Sequence, residues 1–482
     1  MGALQEKQRM EIFRRITRQA SPGRIIKSFA VLLILLALGY ILALSSAKLE
    51  LGGSSPGQQV LGKAPLAGQR AMEQFCTGIT ATPRNIWLVG YREYADEIPA
   101  SALDLGSLLP QSADEAQRWG SMALQARSLT LRNGEGVTLI SRLGEDGEFH
   151  VLAFVDGRAR LISSPDGENL FLLTGLNLAP DEKRPYRQSA VFRTSDQGKT
   201  WQALLENGFM AMTERSKAYF LEPYFYNNNE VWAWGGYEDF ERIFYSPDQG
   251  EHTEAIELSK KLYADMRPRG DYTNTIKAHV VQLDAQQAKV WVSDRYWDGR
   301  NWEAITREGQ LTRKEGRWEL GEVRTHQGLF IYQLISNGKG RIIAAVSQGN
   351  IFDAELAELL VGDHSWKRLS TLPNPFWPFP ADSSIRSNQE HNFFASDDVI
   401  LATIDSDHKV PRWLYPWGRY PANISADAVY FSKNNGRTWT KLAIPGYLGV
   451  LGFNAGKKQV YWNKGNWYEN DDPNIYSYDL SR

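Results

Sequence analysis

Charged and phenolic side chains gather in one short stretch, Tyr91-Arg-Glu-Tyr-Ala-Asp-Glu97. A guanidinium presents a planar fork of donors that grips a carboxylate, so Arg92 and, after a separate apolar run, Arg295 are candidate clamps. With Tyr94 and Asp96 they form the catalytic candidate set: Arg92, Tyr94, Asp96 and Arg295. The sequence favours the plainer reading of solvated charges on the connections of a β protein. Other chemistry finds less support. The seven His residues (150, 252, 279, 326, 364, 391 and 408) form no H-x-H or H-E-x-x-H pairing, so no metal site is expected. Glu469-Asn-Asp-Asp-Pro-Asn474 is acidic but lacks the spacing and glycine of a calcium loop. Neither a phosphate-cradling G-x-x-x-x-G-K-[S/T] nor a nucleophile elbow is present, and no cofactor is expected.

A second set of residues suits recognition. Tyr219-Phe-Leu-Glu-Pro-Tyr-Phe-Tyr226, Pro373-Asn-Pro-Phe-Trp-Pro-Phe-Pro380 and Pro411-Arg-Trp-Leu-Tyr-Pro-Trp-Gly-Arg-Tyr-Pro421 are rich in aromatic residues and proline. Proline excludes the last two from a central strand, so they read as connections. If exposed, Phe376, Trp377, Trp413, Tyr415, Trp417 and Arg419 have the character of interface anchors, or of platforms for sugar rings. Packing over the end of a sheet is the alternative.

The elements that must position these residues are short strands. Apolar runs start at 86, 170, 231, 290, 342, 399 and 460, and the last six are separated by 61, 59, 52, 57 and 61 residues. A near-constant period in an all-β chain signals radial repetition of small sheets. The expected fold is therefore a β-propeller of seven blades, with six or eight as alternatives and an open array of β-sandwiches as the competing architecture. The wider first gap holds strand-like pieces near 124–131, 137–142, 149–155 and 158–163 that could form a blade of their own. Weak helical periodicity appears near 113–126, 254–266 and 352–361. The last repeat is too short for four strands, so a strand from residues 75–91 is expected to complete it and close the ring.

Two repeats carry a sharper signature, Thr194-Ser-Asp196-Gln-Gly198-Lys-Thr200-Trp201 and Ser432-Lys-Asn434-Asn-Gly436-Arg-Thr438-Trp439. Ser246-Pro-Asp248-Gln-Gly250 keeps the first half. Asp or Asn can accept from backbone N–H groups two residues on, Gly supplies positive φ, and Thr-Trp restarts a strand. The pattern resembles the Asp-box, or BNR repeat, of the sialidase-like β-propellers. That resemblance covers roughly residues 75–482 and implies a structural hairpin, not catalytic acids. A sialidase would further need an arginine triad, a Tyr–Glu nucleophile and an Asp acid/base. The family's Phe/Tyr-Arg-Ile/Leu-Pro motif is absent.

Residues 1–27 carry seven basic and two acidic side chains, a net of +5, which leaves −7 of the total −2 for residues 28–482. From Ser28 to Ala47 there is no charge. Twenty helical residues reach ~30 Å, a bilayer's hydrocarbon thickness, and the basic flank should stay in the cytoplasm. A cleaved signal peptide ending near Ser45-Ser46-Ala47 competes with an uncleaved anchor, and the long leading region favours the anchor. Residues 48–70 read as a flexible linker and 71–482 as an exported domain, most simply periplasmic. The single Cys76 permits no internal disulfide.

Near-neutral charge gives no footprint for nucleic acid. The sequence thus points to a bacterial inner-membrane protein whose propeller binds a protein partner without catalysis. It would serve as an assembly or stability factor, resembling the propeller assembly factor of photosystem II, or as an immunity-type inhibitor. A sialidase-like glycosidase or a carbohydrate-binding propeller is the alternative.

Overall fold

The computed structural model describes residues 31, 34–35, 38–40, 59–63, 74–92, 98–108, 137–178 except 157, 186–204, 222–234, 242–258, 262, 275–297, 302–336, 341–348, 355–360, 365–370, 372–374, 376, 381–385, 393–396, 399–410, 423–445, 451–463 and 474–481. The chain separates into two compact units: residues 1–53, 374–382 and 406–426 form one, and the remainder the other.

The larger unit is an all-β, seven-bladed propeller, each blade an antiparallel meander. Blade 1 contains β2 (Gln74–Ala81), β3 (Ile86–Arg92), β5 (Val137–Leu143) and β6 (Phe149–Asp156), after β1 (Gln59–Lys63) has passed, with the two-residue β4 (Leu103–Asp104) pairing parallel to β6. Blade 2 is β7 (Arg158–Ser163), β8 (Leu170–Leu178), β9 (Tyr186–Thr194) and β10 (Gln202–Ala203). Blade 3 is β11 (Glu222–Phe225), β12 (Val231–Trp234), β13 (Arg242–Ser246) and β14 (Glu254–Glu257). Blade 4, with the longest strands, is β15 (Thr275–Gln282), β16 (Gln287–Trp297), β17 (Trp302–Lys314) and β18 (Arg317–Gln327). Blade 5 is β19 (Leu329–Ser336), β20 (Arg341–Gln348), β21 (Glu355–Leu360) and β22 (Trp366–Ser370). Blade 6 is β23 (Asp382–Ile385), β24 (Phe393–Ser396), β25 (Val399–Lys409), β26 (Asn423–Ser432) and β27 (Thr440–Pro445). Blade 7 is β28 (Leu451–Asn454), β29 (Gln459–Asn463) and β30 (Asn474–Asp479), with β1 on its outer edge.

All seven runs of the sequence repeat are the second strands of successive blades. Their aromatic residues explain why: Trp87, Trp232 and Trp291 are wholly buried and Trp462 is 1% exposed. Each projects into a core shared by two sheets, as Trp87 does with Leu161, Leu172, Phe192 and Trp201 between blades 1 and 2. A blade cannot cover both its faces alone, so stacking neighbours supplies the burial. The pieces at 137–142 and 149–155 are the outer strands of blade 1 and 158–163 opens blade 2; they do not form a separate blade.

Closure follows the expected principle with a different strand. β1 pairs antiparallel with β30, whereas residues 74–92 form the inner strands of blade 1. The last blade therefore recruits a segment that the composition marked as linker, and the propeller begins near Gln59 instead of residue 71. An edge strand pairs through its backbone and requires no apolar alternation, and Val60 is 59% exposed. Of the weak helical signals, 352–361 falls on strand β21, 254–266 opens on β14 but is helical at its described position 262, and 113–126 lies outside the described residues. Among the described residues no helix is long and apolar enough to cross a membrane. Within 28–47, the described positions 31, 34, 35 and 38–40 are helical, and the rest lie outside the described residues.

Candidate functional site

The meander sorts its connections into two sets at opposite ends of each sheet. Outside blade 6, where β24 intervenes between β23 and β25, strands 1 and 2 are joined by turns of at most seven residues, as are strands 3 and 4 of blades 1–6, the longest being 195–201, 247–253 and 433–439. Joining strand 2 to 3, and one blade to the next, are connections of very different length: 93–136, 204–221, 258–274, 371–381, 410–422 and 464–473 are long, 179–185, 235–241, 298–301, 349–354 and 446–450 are as short as the turns, and 157 and 328 are one-residue crossings. The first set holds structure, and variable loops on a rigid scaffold are where binding residues concentrate.

The turn set contains the three signature turns, built alike. Thr194, Ser246 and Ser432 each place a side-chain oxygen 2.7–3.0 Å from the N–H of the glycine four residues on. Each hydroxyl in turn donates to Asp196, Asp248 or Asn434. Those acceptors reach the N–H four residues on, at Thr200, His252 and Thr438, and not the N–H two residues on that the sequence suggested. Two successive left-handed residues make this possible: Gln197 and Gly198, Gln249 and Gly250, Asn435 and Gly436. Burial opposes ionisation of Asp196, but the Thr200 hydroxyl and N–H outweigh it and hold its pKa below the ordinary value. These carboxylates are turn formers. Trp201 is buried in the core between blades 1 and 2, while Trp366 and Trp439 are half-buried.

The turns also tie blades together. Arg142 on β5 donates to the Gln197 carbonyl at 2.8 Å, and Arg193 on β9 donates to the Gln249 carbonyl at 3.1 Å. Gln197 further accepts from Asn85 Nδ2 at 2.7 Å and donates to the Gly167 carbonyl at 2.9 Å. At this end a cavity of about 350 Å³ is lined by Pro83, Ser163, Pro165, Tyr224, Phe453 and Asn454, among other residues, with no charged side chain.

A Tyr–Glu pair does occur, but at the turn end. Tyr245 donates to Glu230 Oε1 and accepts from Arg313 Nη1 at 3.2 Å, and its ring forms a mutually touching trio with Trp232 and Trp318. Tyr245 is 1% exposed. Burial and then the Glu230 carboxylate push its pKa up, so the phenol stays protonated. Packed in this way, the pair serves as core and is closed to a substrate.

Where the sequence candidates fall is now clear. Arg92 ends β3, its backbone paired with Gln74 and Val137. Tyr94, Asp96, Trp377, Trp413, Tyr415, Trp417 and Arg419 lie outside the described residues. Arg295 is engaged within the fold: Nη1 donates to the Tyr332 hydroxyl at 3.2 Å and the guanidinium sits 5.6 Å from the Phe330 ring centre. Phe376, expected as an exposed anchor, is 1% exposed. Asn374 Oδ1 accepts its N–H at 2.8 Å, in a turn that tucks the ring 5.9 Å from His408.

The sequence did not reveal a polar seam between blades 4 and 5. Lys277 Nζ donates to the Tyr332 carbonyl at 3.1 Å and His279 Nε2 lies 3.3 Å from the Ile331 carbonyl. Burial, with Lys277 nearby, lowers the His279 pKa to about 3, so its ring is neutral. Deeper, Lys289 Nζ and Glu308 Oε1 meet at 2.6 Å with both side chains 4% exposed, and His326 Nε2 reaches Glu308 Oε2 at 3.1 Å. Alternation placed these residues on strands, yet alternating polar residues ordinarily signal a solvent face. No local signal showed that another blade covers them. Among the described residues no cluster of His, Cys, Asp and Glu has the makings of a metal site.

The chain matches no protein-family model and no curated protein. By fold it is similar to an ulvan lyase of a new polysaccharide lyase family, bound to GlcA(1-4)Rha3S, at 9% identity over 88% of this chain and 94% of that chain, with a TM-score of 0.43. It is also similar to a puromycin hydrolase, at 11% identity over 83% of this chain and 53% of that chain, TM-score 0.38. A third is an oligogalacturonate lyase in complex with manganese, at 11% identity over 57% and 73%, TM-score 0.32. The chain spans about half the length of the puromycin hydrolase. Identities and scores this low carry no functional residue across.

Proposed function

We propose that this chain is a bacterial inner-membrane protein, anchored through residues 28–47, whose periplasmic propeller holds a partner protein without catalysis. The observation that supports this reading is the asymmetry of the blades: the long connections 93–136, 204–221, 258–274, 371–381, 410–422 and 464–473 all leave one end of the sheets, among shorter ones, and short, internally bonded turns close the other. A scaffold of this form presents a broad variable surface on a rigid base. The three turns fit Asp-box hairpins, and in the sialidase-like propellers such hairpins belong to the structure. The non-catalytic role is favoured by the employment of Arg295 against Phe330 and Tyr332, and of the Tyr245–Glu230 pair in the core. An assembly factor or an immunity-type inhibitor fits equally.

Crosslinked affinity purification of the full chain from solubilised membranes is expected to recover one specific protein, with no turnover of a fluorogenic sialoside. Turnover abolished by Arg92→Ala, or glycan retention with no protein recovered, contradicts the reading.

A further inference from the structure

Each blade ends on an outer strand, and an outer strand carries unpaired N–H and C=O groups that can template another chain. β18 guards its edge with charge, through Arg317, Glu319, Glu322 and Arg324. The outer strand β6 is built differently. Among the described residues it pairs with β5 along its length and with β4 only at Ala153 and Phe154. The two are parallel, so β4 could have run beside the first half of β6, but the residues before it turn away: the Ala102 N–H donates to the Pro99 carbonyl at 2.9 Å. Phe149-His-Val-Leu152 is left with a free edge and no carboxylate, ammonium or guanidinium of its own. The hairpin fixes which groups point outward. The Gly144 N–H donates to the Glu148 carbonyl at 2.7 Å, so alternation turns the N–H and C=O of His150 to β5 and those of Phe149 and Val151 to the free edge.

That edge faces a cavity of about 810 Å³, whose other walls come from the stretch Pro99 to Asp104 and from Gly198 and Lys199 of the blade 2 turn. Two of its charged groups are already engaged: His150 Nε2 lies 2.8 Å from Asp146 Oδ2, and Asp104 Oδ1 accepts the Gly106 N–H at 2.8 Å. Lys199 is exposed and enters no ion pair among the described residues. A Cβ at Gly198 would stand 3.2 Å from Leu152 Cδ1, so Lys199 belongs to the face of β6 that carries His150 and Leu152. We propose that this groove takes an extended, acidic peptide segment of a second partner protein by strand addition to β6. The peptide backbone bonds the outward groups of Phe149 and Val151 in line with β4, a carboxylate on one face reaches Lys199, and β-branched side chains on the other cover Val151. A walled groove suits a single extended chain better than the sheet of a second copy. The site sits at the turn end, apart from the long connections, and stands whether or not residues 28–47 are an anchor.

The test uses the solubilised full chain. Hydrogen exchange is read first: the amides of Phe149 and Val151 should exchange freely while that of His150 is protected. Protection of all three in the protein alone overturns the proposal, because the chain itself or a second copy then covers the edge. Selection from a display library of short random linear peptides is expected to enrich sequences that alternate valine, isoleucine or threonine with other residues and carry an acidic side chain. For an enriched peptide followed by fluorescence anisotropy, Lys199→Glu should weaken binding by about tenfold. Val151→Pro removes a donor that β5 does not use and should abolish binding, with thermal unfolding showing that the blade is kept. Should Val151→Pro unfold the protein, Lys199→Glu decides alone. A library that yields no binder, or enriched peptides that bind the folded Lys199→Glu or Val151→Pro variant as well as wild type, overturns the proposal.

Discussion

The Arg142 guanidinium donates to the carbonyl of Gln197 at 2.8 Å, so that a side chain on the third strand of blade 1 closes the turn between the third and fourth strands of blade 2. Arg193 and Gln249 repeat the bond one blade further on. Left-handed backbone at Gln197 and Gln249 turns their carbonyls toward the neighbouring blade. The signature turns are therefore rivets between blades as well as local hairpins.

Arg142→Ala and Arg193→Ala should each cost about 1–2 kcal/mol, since each leaves a carbonyl without its donor. The two rivets sit on different seams, so the double variant should show near-additive loss. Urea unfolding of the three variants measures this.

Two glycines with the same φ separate backbone strain from crowding. Gly147 and Gly198 both have φ +81, but a Cβ at Gly147 would meet nothing within 4 Å, whereas at Gly198 it would stand 2.8 Å from Trp87 Cη2. Gly147→Ala is expected to cost roughly 1–2 kcal/mol, the usual penalty of a left-handed residue. Gly198→Ala should cost about 1–3 kcal/mol more, because a buried Trp must shift. Equal losses in parallel unfolding experiments would contradict the packing described for Trp87.

The Lys289–Glu308 pair offers a test of buried charge. Lys289→Met removes one partner and should destabilise by about 3–5 kcal/mol, while Lys289→Met/Glu308→Leu should recover much of the loss. A double variant as weak as the single one would show that the pair contributes more than mutual neutralisation.

Blade 3 carries a pH-dependent version of the turn. His252 Nδ1 lies 2.6 Å from Asp248 Oδ2, in the place that Thr200 and Thr438 fill elsewhere. The hydrogen bond to Asp248 raises the His252 pKa above 6.5. Burial opposes ionisation of Asp248, but the His252 bonds outweigh it and lower its pKa below 3.8. The His252 contribution is complete below pH 6.5 and is lost as pH rises through its raised value. That of Asp248 is complete above pH 3.8 and is lost as pH falls through its lowered value. The stability difference between wild type and His252→Thr should thus be greatest between those limits and shrink on both sides. A difference flat from pH 5 to 9 in thermal unfolding would contradict the pairing.

The ring was legible because one strand per blade is nearly continuous in apolar and aromatic residues, and Trp87, Trp232, Trp291 and Trp462 mark it in four of the seven blades. The turns were legible because their hydroxyl, carboxylate and glycine stand at fixed spacing. Gln59–Lys63 was hidden since edge pairing leaves no side-chain pattern. Leu356, Ala357, Leu359 and Leu360 suit a helix or a strand equally over six residues, and pairing to β20 decides between them. Lys277 and His279 bond across to blade 5, while Lys289, Glu308 and His326 meet from three strands of blade 4; no local window of sequence contains either set of contacts.

The central claim, an anchored propeller that holds its partner on the long connections, is tested most directly by mapping lysine crosslinks on the full chain in native membranes. Lys217, Lys260, Lys261 and Lys464 lie in long connections and Lys183 in the shorter 179–185 at the same end, and Lys199, Lys314, Lys433, Lys457 and Lys458 lie at the turn end. Crosslinks to one protein should concentrate on the first group. Crosslinks confined to the second group, or spread evenly over both, would contradict the account.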